Sequence, residues 1–190
     1  MKKSVGAKTI LFPTPVFIVG TYDKDNKPNA MAVAWGGILC SNPPSAGVAI
    51  REATYTYGNL MARNAFTISI PSEKFVKEAD YFGIASGRSE DKFASAKLTP
   101  VKSGLVDAPY VGEFPLVVEC SVTRAVKLGL HTLFIGEIRD VLADEAALDK
   151  DGSPDIKKIK PMIFDPAKRG YYGIGGYLAR AFSEGNKIKK

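Results

Sequence analysis

Residues Leu116 to Thr123 alternate strictly. Leu116, Val118, Cys120 and Val122 fall on one side, and Val117, Glu119, Ser121 and Thr123 on the other. A two-residue period is the geometry of a strand, so Pro115–Thr123 is expected to be an antiparallel strand with one fully buried side. The other apolar runs are equally short and are bounded by turn formers. Val16–Tyr22 and Ala30–Trp35 flank the turn-rich Asp23–Asn29 and form a hairpin. Ala46–Ile50 follows Asn42-Pro43-Pro44, Phe66–Ile70 ends at Pro71, and His131–Leu142 follows the turn Lys127-Leu128-Gly129-Leu130. Three short helices interrupt this series. Thr54–Arg63 sets Tyr57, Leu60 and Met61 on one face. Glu73–Phe82 is capped by Ser72 and closed by Gly83, with Phe75, Val76, Ala79 and Phe82 inward. Glu90–Ala96 follows the turn Ser86-Gly87-Arg88. The 18 glycines and 12 prolines are spread along all 190 residues, which suits a turn-rich β protein. The expectation is a single domain over residues 1–190, mainly β with covering helices, in which six or seven strands form a small β-barrel.

Several function classes are disfavoured. The net charge is +6, but the 26 basic residues are scattered among 20 acidic ones instead of forming a stripe, which speaks against nucleic acid. Part of the excess sits in Lys157-Lys158-Ile159-Lys160 and in the tail Asn186–Lys190. Cys40 and Cys120 stand in apolar runs with no Cys-x-x-Cys pair, so buried free thiols are expected, and no metal site. No apolar stretch approaches the roughly 20 residues that span a bilayer, and Val5–Phe12 is too polar and short for a signal-peptide core. A cytoplasmic location, away from membranes, is the expectation. In Gly173-Ile174-Gly175-Gly176-Tyr177-Leu178 the third glycine of a dinucleotide motif would fall on Leu178, and too little chain follows for a βαβ unit. Walker-type loops, His-Glu-x-x-His and Gly-x-Ser-x-Gly are missing from the sequence.

The chemistry concentrates between Asn29 and Tyr57. Small residues at Ala32 and Ala34 let a ring lie against the backbone amides. Arg51 with the hydroxyls of Thr54, Tyr55 and Thr56 offers a phosphate cradle one strand away. An aromatic, phosphorylated ligand such as flavin mononucleotide (FMN) fits both. Arg51 at the end of a buried strand needs an anionic partner, for which Glu52 competes with a ligand. Trp35, beside Gly36 and Gly37, reads equally as core and as a stacking wall. Lys92, taken alone, is a solvated helix position. His131, the only histidine, is either structural or placed at a barrel mouth, where an imidazole can meet a ring edge or a hydride donor.

Taken together, these segments resemble the flavin reductase-like, FMN-binding split-barrel family. The resemblance is carried by Asn29-x-Met31-x-Val33-Ala34-Trp35, Asn42-Pro43-Pro44, Arg51 with Thr54–Leu60, Ala65–Pro71, Asp80–Arg88, Asp91-Lys92-Phe93, Gly129–Thr132 before Phe134–Glu137, and Tyr171-Tyr172-Gly173. It implies a Greek-key split barrel that binds FMN non-covalently near the twofold interface of a homodimer. It also implies that Met31, Ala32, Val33, Ala34 and Trp35, with the Ser41 side chain, face the flavin ring. Arg51, Tyr55, Thr56 and Lys92 approach the phosphate, Ser86 and Gly87 lie near the ring edge, and His131 lies near the flavin face as the catalytic residue. Two readings of the activity follow from it. One is an electron carrier that exchanges electrons with a redox protein partner through prosthetic FMN. The other is an NAD(P)H-dependent reductase that releases flavin as a product. A binding module that docks an anionic partner through its basic surface is the alternative from another class.

Overall fold

The computed structural model describes residues 1–188; Lys189 and Lys190 of the basic tail lie outside the described residues. In chain order the strands are β1 (Thr14–Pro15), β2 (Phe17–Tyr22), β3 (Pro28–Val33), β4 (Gly36–Ser41), β5 (Pro44–Arg51), β6 (Ala65–Ile70), β7 (Pro100–Lys102), β8 (Pro109–Val111), β9 (Leu116–Leu128), β10 (His131–Ala143), β11 (Met162–Asp165) and β12 (Gly170–Gly173). The helices are α1 (Tyr55–Arg63), α2 (Val76–Ile84), α3 (Lys92–Ala96) and α4 (Ile156–Ile159). Seven strands form one antiparallel sheet in the order β3-β2-β6-β9-β10-β5-β4, and β7–β8 and β1–β11–β12 form small sheets beside it. Sequence-distant strands pair at β2–β6 and β5–β10, a Greek-key arrangement. The two ends of the sheet meet where Ala49 N of β5 donates to Trp35 O, 2.8 Å away, just beyond β3. The result is the split barrel.

The barrel interior holds Val19, Val33, Val48, Ile50, Phe66, Ile68, Cys120 and Phe134, with Leu60 of α1 completing this cluster. A second core lies on the outer face of β2 and β3. There Ile18 and Ala30 pack with Ala79 and Phe82 of α2, Phe93 of α3, Val111, Phe114 and Met162. Strands covered on both faces bury both sets of side chains. This corrects the expectation for Pro115–Thr123. Leu116, Val118 and Val122 are half-buried, while Val117 and Glu119, assigned to the open side, are 3% and 1% exposed.

Several local expectations change for similar reasons. β4 was not anticipated, because it is an edge strand whose Ile38 and Leu39 face solvent. Cys40 lies on it and is exposed, whereas Cys120 is buried, with its thiol pushed up to about 12 by that burial. Met61 of α1 is exposed; the helix buries Thr56 and Asn59 beside Leu60. Gly83 lies inside α2 instead of closing it, and Ser72 makes no capping hydrogen bond ahead of the 3-10 turn Glu73–Phe75. Gly173 ends β12, and Gly175 and Gly176 after it belong to no helix or strand.

The ribbon β7–β8 seals the outer face of β2 and β6. Thr67 Oγ1 donates to Pro109 O (2.6 Å), Val111 N donates to Ser69 Oγ (3.1 Å), and a Cβ on Gly20 would overlap the Pro109 carbonyl. At Gly37 a Cβ would meet nothing within 4 Å. Gly20→Ala is therefore expected to destabilise the fold by about 1–3 kcal/mol, and Gly37→Ala by less than about 0.5 kcal/mol. Urea unfolding of the two variants measures both; equal midpoints would show that the ribbon does not press on β2.

Candidate functional site

Two adjoining clefts lie along β3. The larger has a volume of about 510 Å³ and is lined along β3 and its continuation by Ala32, Val33, Ala34 and Trp35. Its other walls are Gly83 and Ile84 of α2, Asp80, Phe164, Arg169 and Tyr171. The smaller, about 170 Å³, is lined by Asn29 and Met31 of β3, Thr54, Tyr55 and Thr56 at the start of α1, and Ser86, Gly87, Arg88 and Lys92. Gly83 borders both clefts, and a Cβ there would stand 3.3 Å from the Ala32 Cβ. Small residues on the two facing elements thus leave a flat slot that runs into a polar pocket.

The pocket is built by hydrogen bonds. Thr54 caps α1: its hydroxyl accepts from Tyr57 N (3.3 Å) and donates to Arg51 O (2.8 Å). Asn29 Nδ2 donates to Thr56 Oγ1 (3.0 Å), which seats the first turn of α1 on β3. Tyr55 donates to Asp23 Oδ2 (2.7 Å), and this bond holds its phenol up at about 12. Burial opposes ionisation of Asp23. The bonds from Tyr55, Lys27 N and Asp25 N outweigh it, so its carboxyl lies below the ordinary carboxylate range. Arg63 at the far end of α1 donates through Nε to Asp23 O (3.1 Å) and pairs with Asp107 (3.1 Å). The helix is therefore fixed to the β2–β3 turn at both ends.

Lys92 departs most from its sequence reading. It is 4% exposed, and its ammonium donates to Phe82 O (3.1 Å) and Ala85 O (3.2 Å). Of its three N–H donors, one remains for the pocket that Lys92 lines. Burial lowers its pKa to about 8. An ammonium whose charged form is disfavoured by burial, at the C-terminal end of α2 and beside the start of α1, is suited to an anion that favours its charge.

The structure brings Met31, Ala32, Val33, Ala34, Trp35, Tyr55, Thr56, Ser86, Gly87 and Lys92 to these two clefts. It does not bring Ser41, Arg51 or His131 to line either of them. Ser41 is exposed on the edge strand β4, opposite Pro44. Arg51 is exposed at the end of β5, not buried as expected, and its guanidinium has no hydrogen-bond partner among the described residues. Glu52 pairs with Lys127 instead (3.0 Å). His131 is half-buried and lies opposite Arg51 in the β5–β10 ladder. Trp35 is half-buried and lines the larger cleft, between its two readings.

Sequence reasoning missed Asn29, Arg88, Asp80 and Tyr171 as lining residues. Arg88 reaches Ala53 O (2.8 Å) and lies over the Tyr55 ring, which closes one side of the pocket. Tyr171 donates to Asp80 Oδ1 (2.8 Å), and burial together with that bond pushes its phenol up to about 12. Asp80 and Tyr171 are 91 residues apart, so no local signal joins them.

The flavin reductase like domain model matches residues 9–174 of the chain. The flavoredoxin of Desulfovibrio vulgaris (Miyazaki F) superimposes with a TM-score of 0.94 at 58% sequence identity, covering 97% of this chain and 100% of that one. The flavoredoxin from Methanosarcina acetivorans gives a TM-score of 0.91 at 29% identity, covering 99% and 100% of the two chains. An uncharacterised protein of Archaeoglobus fulgidus is 37% identical over 130 residues, 68% of this chain and 72% of that protein.

The lowered pKa of Lys92 has a consequence for the ligand-free chain. Between about 8 and 10.5 the unfolded chain holds a proton that the folded chain has released. Stability contributed at this position therefore rises with pH across that window and is lowest below it. Urea midpoints of the wild-type chain, compared with those of Lys92→Met across the window, should diverge in this sense. Parallel curves would mean that the ammonium is not desolvated.

Proposed function

The chain belongs to the flavin reductase-like family, and from that premise we propose that it is a flavoredoxin-like redox protein carrying one non-covalently bound FMN per chain. The observation that carries this reading is the junction of an apolar slot and a hydroxyl-lined pocket with a buried lysine, meeting at Gly83. The slot accepts a flat ring and the pocket an anion. The match to flavoredoxin structures over nearly the whole chain supports the same assignment.

When bound, FMN supplies the electron-carrying chemistry. The chain's own residues bind it, orient it and shield it. Ala32–Trp35 form the floor of the slot, with Ile84 and Tyr171 as the opposite wall. Lys92, the hydroxyl of Thr56 and the Ser86–Arg88 turn hold the phosphate, while Thr54, whose hydrogen goes to Arg51 O, caps the helix. Tyr55 supports the pocket through Asp23, and Arg51 adds charge from the rim. Ser41 and His131 lie off both clefts of their own chain, so a role for them at a flavin requires a second copy.

A homodimer accommodates this. Ile38 and Leu39 on β4, together with Val126, Leu128 and Leu130 at the β9–β10 hairpin, give this side an exposed apolar surface. Beyond β12, Leu178 and Phe182 stand almost wholly free of their own chain, with Leu178 at 96% exposure, and Tyr177 is exposed beside Lys157. Two copies that cover these groups would shelter the slot. No helix of the described residues is long and apolar enough to cross a membrane. Electrons are exchanged with a redox protein partner or NAD(P)H, and the reading places the chain in the cytoplasm.

Purified protein should be yellow, with FMN released on denaturation. Colourless protein that reduces added FMN with NAD(P)H would replace the carrier by a flavin reductase. Lys92→Met should weaken FMN by about ten- to a hundredfold, one charge-assisted hydrogen bond, while riboflavin binding changes little. FMN affinity of the wild-type chain should fall as pH rises above about 8, because Lys92 must then take up a proton to meet the phosphate. Equal losses for both flavins on titration would remove Lys92 from the phosphate site. Light scattering is expected to show a dimer that loses flavin on dissociation; a monomer with full FMN occupancy at micromolar concentration would reject the dimer.

A further inference from the structure

The charge of this chain is not evenly spread. Between Glu137 and Asp155 the carboxylates of Asp140, Asp144, Glu145, Asp149 and Asp151 are all exposed, and Arg139 and Lys150 are the basic residues of that span. Arg139 pairs with Glu137 (3.1 Å), and the exposed carboxylates have no cationic partner among the described residues. In a chain of net charge +6 this is a concentrated acidic face. It surrounds an apolar cleft of about 470 Å³, in which Val141, Leu142 and Ala143 at the end of β10 are joined by Leu148, Gly152 and Pro154. β5 leaves β10 at Glu137, opposite Ser45, so Ile138–Ala143 pairs with β9 alone. The cleft thus lies along the same margin of the sheet as the exposed Ile38 and Leu39 of β4.

The segment after β12 has the opposite charge and the same apolar character. No hydrogen bond joins Gly175–Ile188 to the rest of the described chain. Leu178, Phe182 and Ile188 are exposed, Ile188 at 84%. The charged residues here are Arg180, Glu184 and Lys187, and Lys189 and Lys190 follow in the sequence. A basic, apolar arm and an acidic, apolar cleft complement each other in both respects. The root of the arm is fixed where Lys157 of α4 lies over the Tyr177 ring (5.7 Å). α4 is capped by Asp155, the residue after Pro154 of the cleft wall. Each copy would therefore give an arm beside the place where it receives one, which is what a closed twofold exchange requires. The residues from Ile174 to Ile188 span up to ~50 Å when extended, enough to reach a second copy.

We propose that the arm Ile174–Ile188 of one copy docks in the acidic cleft of a second copy, with Leu178 and Phe182 in the apolar space and Arg180 and Lys187 against the carboxylates. The dimer is then held by reciprocal exchange of arms. The inference rests on the homodimer reading above and names the contact that closes it. Each arm starts at β12, whose Tyr171 walls the slot, so the exchange ties that wall to the partner.

Sedimentation of charge-swapped full-length chains tests this. The arm variant carries Arg180→Glu and Lys187→Glu, and the cleft variant carries Asp149→Lys and Asp151→Lys; all four positions are exposed. Either variant alone should dimerise at least about tenfold more weakly than the wild-type chain, because like charges then meet at both junctions. Mixed in equal amounts, the two should recover wild-type affinity as a heterodimer, since an acidic arm meets a basic cleft and a basic arm an acidic one. Leu178→Ser with Phe182→Ser should weaken the dimer by about a hundredfold with no change of charge. Variants that dimerise as tightly as the wild-type chain overturn the proposal. Weakened variants that do not recover on mixing also overturn it, because the arm would then dock on its own chain. Failure of the homodimer reading has a different signature: the wild-type chain itself would sediment as a monomer at micromolar concentration, and the exchange would fall with it.

Discussion

The helix that lines the phosphate pocket is docked to the sheet largely through polar contacts. Leu60 reaches into the barrel, but its neighbours on the buried face of α1 are Thr56 and Asn59, which meet Thr21 and Asn29 of the first hairpin. Hydrogen bonds are directional where apolar contacts are not, so this knot fixes both the position and the rotation of the helix. The pocket inherits that precision, because its hydroxyls come from the helix's first turn. Arg63 and Tyr55 extend the same hold to the backbone and carboxylate of Asp23.

Burial on both faces of β2, β3 and β6 is what makes room for a binding slot outside the barrel. The interior is filled by its own apolar cluster, so a ring cannot enter it. On the outer face, alanine at 30 and 32 keeps the surface of β3 low, and α2 approaches with Gly83 opposite Ala32. One wall is then backbone and methyl groups, and the other is the end of a short helix. The carbonyls at that helix end are the ones that accept from Lys92, which lets a charged group be buried without a carboxylate partner.

How much of this was legible in the sequence depends on how local each cause is. The alternating run at Leu116–Thr123, the hairpin around Asp23–Asn29 and the helix expected over Thr54–Arg63 are local, and each element is where its pattern puts it. Glu119 is buried because the small ribbon near Pro109 belongs to a layer that no periodicity in β9 announces. Lys92 reads as a surface lysine because its two carbonyl partners come from a different helix. Arg51 errs in the opposite direction: the strand before it is buried, but the chain turns outward just there, into Thr54. Most of the slot was visible in the small residues of β3, whereas its outer wall, Asp80 with Tyr171, is joined only by the tertiary fold.

The β9–β10 hairpin is longer than the barrel it belongs to. β6 covers β9 only from Leu116 to Ser121, so Thr123–Leu128 pairs with β10 alone and leaves its other edge open. A single strand thus runs from the centre of the fold to its margin, and amide hydrogen exchange along it should not be uniform. The half shared with β6 opens only with the whole molecule, while the outer half can peel from β10 by itself. The split in the barrel is in this sense a boundary between two cooperative units within one continuous strand.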